Sequence, residues 1–369
     1  MEKLFFEPFD TLFFRDGRPF NQGEGNAGIE SLFPPSPLTM VGAARAAWAR
    51  ALGWKGKKKW KDEIKTDLGG DEKELKGLKF YGPLLYNDKE PLFPIPALLL
   101  NRQQGKQEHP QSIIRLRPSD KEMECDLGKV RLPEPDIKEN GFSATGQIKE
   151  LKGWWLNKRG MGKVLNGEKP EPADFIRSSK LWSYEPKVGN QIDRETRTVE
   201  EHMLYSTIHV RLHPKVRLMM GVEGELEEFE KFPNNAQVPL GGEARSCYLT
   251  KESGALDLPD SEVDVINGKV RYAVFVLTPL NPKQPPRAGQ SFENLPGKVV
   301  SACMPRAQRW GGWDTINFQP LPMKPHLAPG SVIFMEADEK YEDILNYHGK
   351  TVGERSSWGF GLIAIGKWN

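Results

Sequence analysis

The side chains of this chain that can bind metal or move protons near neutral pH are six histidines, His109, His202, His209, His213, His326 and His348, and three cysteines, Cys125, Cys247 and Cys303. None of the histidines belongs to HExxH or another zinc motif. The cysteines lie far apart with no CxxC pair, so neither a structural zinc site nor a disulfide framework is encoded. His209 and His213 are four residues apart, but they sit in TIHVRLHPKVRLM, whose alternation is that of a strand. Strand rise separates them by about 13 Å, too far to share a metal. One histidine acting alone as general acid or base in RNA cleavage is the enzymatic reading that stays open. Gly69-Gly70-Asp71-Glu72 and Gly241-Gly242-Glu243 look like fragments of a cyclase or polymerase hairpin. Neither is joined by a second carboxylate set for two metals, and both read as turns. No metal centre and no small-molecule cofactor is expected.

Cations form the more informative pattern. In TIHVRLHPKVRLM the even positions carry Ile208, Val210, Leu212, Val216 and Leu218, whereas the odd positions carry His209, Arg211, His213, Lys215 and Arg217. A strand sends these sets to opposite faces, one core and one cationic. Pro214 cannot donate to a ladder, so the strand is an edge, is bulged, or ends there. The basic face either blunts an exposed edge or tracks phosphates, and Arg194 and Arg197 in the preceding turn extend it. A second cluster, MPRAQRWGGWDTI, sets Arg306 and Arg309 beside Trp310 and Trp313 around a glycine pair. Rings stack single-stranded bases while arginines neutralise phosphate, although one of these tryptophans is expected to pack inside.

The chain closes on GERSSWGFGLIAIGKWN. Its glycines do not keep the GxGxxG spacing, and only three residues follow Gly366, so no helix N-terminus is present to hold a pyrophosphate. A loop, RSSWGFG, feeding a short buried strand, LIAI, is what remains. Its glycines either make an anion nest or serve a positive-φ turn. Ser356, Ser357, Trp358, Gly359, Phe360 and Gly361 are expected to face RNA or a neighbouring subunit, backed by Arg355.

These clusters need elements to position them. Residues 4–20 are Phe-rich around Asp16-Gly17, which predicts an opening hairpin. FPPSPLTMVGAARAAWARAL predicts a helix with Ser36 or Thr39 as cap. On its wheel Val41, Ala44, Trp48 and Leu52 make the buried stripe, Arg50 faces away, and Arg45 lies on the stripe's border, either snorkelling or aimed at an anion. SYEPKVGNQIDRETRTVEEHMLYSTIHVRL reads as strand, polar turn, strand. Strands are also expected at 270–278, 331–336 and 362–365, and a helical stretch near 292–303. Segments of about 54–79 and 101–140 read as insertions or loops.

At 369 residues two domains are expected, divided near 200 into 1–200 and 201–369. Hairpins with few helices favour α+β. Thirty prolines and thirty-six glycines exceed an average combined share of about 12%, which points to long ordered loops. A formal net charge of +2 excludes a protein that coats nucleic acid by bulk charge, so any basic site is local. No signal-type start and no run of about 18 apolar residues appears, which reads as a soluble cytoplasmic protein without membrane contact.

EPFDTLFFRDGRPF with the following GEG, FPPSPLTMVGAARAAW, VGNQIDRETRTVEEHMLYS, RWGGWDT and the final GERSSWGFGLIAIGKW, in that order, resemble the CRISPR-associated RAMP proteins that form the third subunit of the type III-B Cmr complex. The resemblance implies two tandem ferredoxin-like (RRM-like) domains with long loop insertions and a C-terminal glycine-rich loop. It implies a non-catalytic subunit of an RNA-guided antiviral ribonucleoprotein that grips the 5′ tag of the crRNA and joins the large polymerase-like subunit to the backbone subunits. Arg15, Arg18, Arg45, Arg194, Arg197, His209, Arg211, Lys215, Arg217, Arg306, Arg309, Trp310 and Arg355 are then the candidate RNA contacts. The rival reading is a metal-independent RAMP-type endoribonuclease that cuts repeat RNA with His209 or His213.

Overall fold

The structure is a computed structural model; it describes every residue except 16–28, 57–59, 70–74, 104–107, 126–127, 137–146, 193–194, 225–231, 315–318, 339–340 and 369. The first strand, Glu2–Pro8, fixes the layering. Leu4 and Phe6 leave it on one side and Phe5 on the other, and all three are buried, so the strand must be covered on both faces. It lies inside a nine-stranded sheet, antiparallel to Val216–Glu223 on one side and Ser246–Ser253 on the other. Lys79–Asn87, Glu90–Pro94, Trp154–Leu156 and Phe175–Arg177 extend the sheet one way, and Asn235–Pro239 ends it the other.

Helix α1 (Pro37–Ala51) covers the Leu4/Phe6 face. Proline stands in its first turn and the Ser36 hydroxyl accepts from the Leu38 amide at 3.3 Å, which caps the free end as expected. Met40, Val41, Ala44 and Trp48 then meet Leu85, Leu218 and Met220 in one core. Phe5, Tyr86 and Met219 fill the other side, against Phe275, Phe334 and Ala364. Those last residues belong to a second sheet of Asp264–Ile266, Lys269–Val276, Val332–Ala337, Lys298–Cys303 and Ile363–Gly366. Its far face packs Tyr272, Val274 and Ile365 over Phe292 and Ile344. The result is a strand-rich α+β architecture in which two sheets share a core.

Several expectations change. Glu2–Pro8 makes no hairpin with the residues after it; two buried faces require central strands on both flanks, and these come from 216–223 and 246–253. The Asp16-Gly17 turn lies outside the described residues. Among the described residues, the 101–140 segment is not loop throughout: Leu99–Gln103, Ile113–Pro118, Pro133–Pro135 and Gln147–Glu150 form a four-stranded sheet, with a small hairpin of Met123–Cys125 and Gly128–Val130. Helix α2 (Asp62–Leu68) lies within 54–79. The expected helix near 292–303 is instead irregular chain followed by the strand Lys298–Cys303, whose Val299, Ser301 and Cys303 point inward with a period of two. Residue 200 falls within the strand Val199–Leu212, and the first sheet draws strands from both sides of it.

Arg115 ties the four-stranded sheet to the rest. It is 4% exposed, donating from Nη1 to the Val164 carbonyl at 3.1 Å, at the end of helix α3 (Lys158–Leu165), and from Nη2 to the Lys367 carbonyl at 3.0 Å. Burial pushes its pKa down to about 10, which still leaves it cationic at neutral pH. Arg115→Ala is expected to lower unfolding free energy by about 2–4 kcal/mol in urea titration, because it strands buried carbonyls as well as removing packing. Lys129→Ala, on the outlying hairpin, is expected to change it by less than about 0.5 kcal/mol.

Candidate nucleic-acid interface

The alternating segment is two strands joined by a turn. Trp182–Ile192 and Val199–Leu212 form a long antiparallel hairpin, as strand, turn and strand predict. Pro214 ends it, and Lys215, at φ +72°, turns the chain into Val216–Glu223. Of the even positions Val210, Val216 and Leu218 are buried, while Ile208 and Leu212 are half-buried.

The odd positions do not form an open cationic face. Arg211 is bound by Asp10 at 2.9 Å and Glu185 at 2.7 Å, Lys187 contacts the same two carboxylates at 3.5 and 3.4 Å, and Arg245 meets Asp10 at 3.0 Å. The hydrogen bond from Arg211 holds the Glu185 carboxyl below its ordinary range. Arg217 lies 4.0 Å from the Phe5 ring and pairs with Glu7 and Glu252 at 3.4 and 3.6 Å. His209 is interior, at 2% exposure. Its ring nitrogens are hydrogen-bonded to the hydroxyls of Thr11 at 3.2 Å and Thr207 at 3.1 Å, and its ring stacks on Phe13. Lys215 is exposed at the turn and His213 half-buried.

Arg45 is also interior. Its Nη2 donates to the carbonyls of Leu68 and Gly69 at 3.0 Å each, at the C-terminal end of α2 where a cation is favoured. Its guanidinium carbon lies 4.9 Å from the Trp60 ring centroid and 5.2 Å from that of Trp358. The border position on the α1 wheel therefore resolves to an internal anchor. Arg50, on the outer face, lies over Trp54.

The glycine-rich loop is likewise mostly internal. Trp358, Gly359, Phe360 and Gly361 are buried, and Ser356 and Ser357 half-buried. Trp358 and Gly359 pair in parallel with Phe80 and Tyr81 at the edge of the irregularity in Lys79–Asn87. The Thr278 hydroxyl donates to the Gly359 carbonyl at 2.8 Å and accepts from the Leu362 amide at 2.9 Å. The expectation of an RNA- or subunit-facing loop therefore gives way to one that joins the two sheets, with Glu354 and Arg355 exposed at its mouth. Its glycines serve positive φ, +88° at Gly359 and +66° at Gly361, and close approach: a Cβ on Gly359 would stand 2.6 Å from the Gly82 carbonyl oxygen.

Exposed cation and aromatic groups gather elsewhere. Gln308–Asp314 and Gln319–His326 pair only with each other among the described residues, as a two-stranded ribbon. Arg306 and Arg309 are exposed, Trp310 is half-buried, and Trp313 is 57% exposed opposite Pro320. Trp310 stands opposite Lys324, whose ammonium pairs with Glu354 at 2.9 Å, beside Arg355. The ribbon and the mouth of the glycine-rich loop thus form one patch. Arg15 and Arg197 are exposed, and Arg18 and Arg194 lie outside the described residues. Sequence reasoning chose Trp310 over Trp313 and missed Lys324, which carries no local signal. Cys247 and Cys303 are buried, their thiols pushed up to about 12 by desolvation.

Fold and patch together define a strand-rich α+β scaffold that presents a basic-aromatic ribbon. The model of the CRISPR-associated protein family Cas_Cmr3 matches residues 4–368, and the chain belongs to that family. Similar solved chains come from the cryo-EM structures of the Type III-B Cmr-beta bound to cognate target RNA, with AMPPnP (17% identity, TM-score 0.49) and without it (18%, 0.46). Each covers 90% of this chain and 86% of its own. A chain of the Csm3-Csm4 subcomplex of a type III-A interference complex is similar at 12% identity and TM-score 0.36, over 91% and 94%. No curated protein matches the chain.

Two tests follow from this geometry. Gly361→Ala puts a methyl into the Val352 carbonyl at positive φ and is expected to cost more than about 3 kcal/mol, seen as loss of the cooperative thermal transition or a Tm lower by 5 °C or more on the order expected for that energy. Burial holds the imidazoles of His209, His326 and His348 below their ordinary value of about 6.5. As pH falls through that value the unfolded chain takes up protons that the folded chain refuses, so stability is full above it and declines below it. The urea midpoint is expected to drop from about pH 7.5 to about 5.5, with a shallower slope in His209→Gln.

Proposed function

We propose that the chain is the guide-RNA-binding subunit of a type III-B CRISPR effector complex, non-catalytic itself, which grips the 5′ tag of the crRNA and joins a large polymerase-like subunit to the backbone subunits. Membership of the Cas_Cmr3 family supports the setting. The observation that carries the RNA contact is the ribbon of Gln308–His326, which exposes Trp313 beside Arg306 and Arg309. Single-stranded bases stack on such rings at about 1–3 kcal/mol each, while the guanidinium groups neutralise the phosphates between them. The near-neutral net charge suits a subunit whose remaining faces meet protein.

Proton transfer at His209 is poorly served by a ring whose nitrogens are both held by buried hydroxyls, and this favours the binding role over the histidine-based ribonuclease. The Asp10–Glu185 carboxylates already compensate Arg211, so that arginine contributes little to an anionic ligand.

In the complex assembled around a guide RNA, photo-crosslinks from the 5′ tag are expected on peptides containing Trp310 or Trp313. Trp313→Ala combined with Arg309→Gln is expected to weaken guide binding about tenfold or more and to flatten its salt dependence by about one unit of slope. Arg211→Gln is expected to alter it less than about twofold. A ribbon free of crosslinks together with unchanged affinity would sink the reading, and metal-free cleavage of repeat RNA lost in His213→Asn would replace it with the ribonuclease.

A further inference from the structure

A second recess lies at the junction between the four-stranded sheet and the outer strands of the first sheet. Asn101 stands directly opposite Lys149 in the pairing of Leu99–Gln103 with Gln147–Glu150, and Trp154 directly opposite Arg177 in the pairing of Trp154–Leu156 with Phe175–Arg177. Partners directly across an antiparallel ladder share a face. The two pairs line one cavity of about 220 Å³, with His109, Lys152 and Leu151 completing its wall.

The chemistry of this wall is specific. The Arg177 guanidinium lies 4.6 Å from the Trp154 centroid, Phe175 meets the indole edge-on at 6.3 Å, and the His109 ring stands 5.8 Å from it, so the indole is held in one orientation. Lys149, Lys152 and Arg177 face a lone carboxylate, Glu150, which pairs with Lys152 at 3.1 Å and leaves a local excess of positive charge. Asn101 Oδ1 and His109 Nδ1 are buried and have no hydrogen-bond partner among the described residues. A buried acceptor without a donor is unfavourable unless a ligand supplies one. The volume lies below the roughly 300 Å³ at which pockets for drug-sized molecules begin, and suits one planar heterocycle.

We propose that this cavity binds a single nucleoside monophosphate, with an amino-bearing base donating its exocyclic N–H to Asn101 and its phosphate met by Lys149 and Arg177. Adenine is the preferred base, since the amide of asparagine matches its adjacent acceptor and amine. The nucleotide is either free or one residue of a single-stranded RNA, and both present the same groups. The site is separate from the ribbon and does not rest on the reading of guide binding.

The test uses the full chain and 2-aminopurine riboside 5′-monophosphate, whose emission falls on stacking, alongside an eight-nucleotide single-stranded RNA carrying one 2-aminopurine. Saturable quenching that AMP reverses and UMP does not is the expected result. Quenching of the mononucleotide assigns a free nucleotide, and quenching of the oligonucleotide alone assigns an RNA residue. Asn101→Ala and, independently, the surface change Arg177→Gln are each expected to weaken binding about tenfold with Tm unchanged. Guide-RNA crosslinking at the ribbon is expected to be the same in both variants. Absence of saturable quenching by either probe, or quenching indifferent to both substitutions, overturns the proposal.

Discussion

The two sheets of this protein share a core, and the stretch Ser357–Gly361 passes between them with glycine at the two positions where a Cβ would meet neighbouring backbone. Gly359 lies against the carbonyl of Gly82 in the first sheet, and Gly361 donates its amide to Pro279 and accepts from Val352 beside the second. Thr278 closes the gap with a single hydroxyl that serves one carbonyl and one amide. Trp358 carries the constraint outward to Arg45, and Arg45 carries it to the last carbonyls of α2. A side chain at the border of the α1 stripe, a glycine at the far end of the sequence and a short helix between them are therefore parts of one arrangement.

That arrangement explains how far the sequence could be read. Period-two alternation located Val210, Val216 and Leu218 correctly, and the apolar runs at 270–278, 331–336 and 362–365 correspond to Lys269–Val276, Val332–Ala337 and Ile363–Gly366. The proline entry, Ser36 cap and small-residue run of α1 were legible because they act within a few residues. Long-range pairing was not. Glu2–Pro8 meets its partners more than 200 residues away, and nothing local in EKLFFEP names them. Cys303 ends a strand whose inward positions include Ser301, which bonds to the Arg131 carbonyl, so its apolar pattern is weaker than a helix-like reading of the flanking residues.

The candidate site was harder to read than the fold for a related reason. Charge seen along a strand is only half of the electrostatic balance, because the opposite charges come from other strands. Arg211 looks unaccompanied within TIHVRLHPKVRLM, yet Asp10 approaches it from the first fifteen residues and Glu185 from the facing strand. Ion pairs of this exposed kind contribute little to stability, about 0–1 kcal/mol, but they do remove the cation from competition for an outside phosphate. The glycines misled in the same way: backbone freedom is equally useful for reaching a ligand and for reaching another strand, and only the neighbouring carbonyls distinguish the two.

What the interior excludes also directs where recognition takes place. Both faces of the central strands Glu2–Pro8 and Val216–Glu223 are consumed by core, one by α1 and one by the second sheet, so a base cannot stack there without displacing buried apolar side chains. Aromatic groups meant for a ligand must then stand away from those central strands, on the outer strands of a sheet or on elements that leave it. The ribbon that carries Trp313 and the junction that carries Trp154 are such places, each built from a short antiparallel pair rather than from the central strands. A two-stranded ribbon gains little stability of its own. Its conformation is therefore the more easily fixed by what binds to it, and Gly312, packed against Leu321 and Leu38 at the start of α1, is the point at which that binding would be felt by the core.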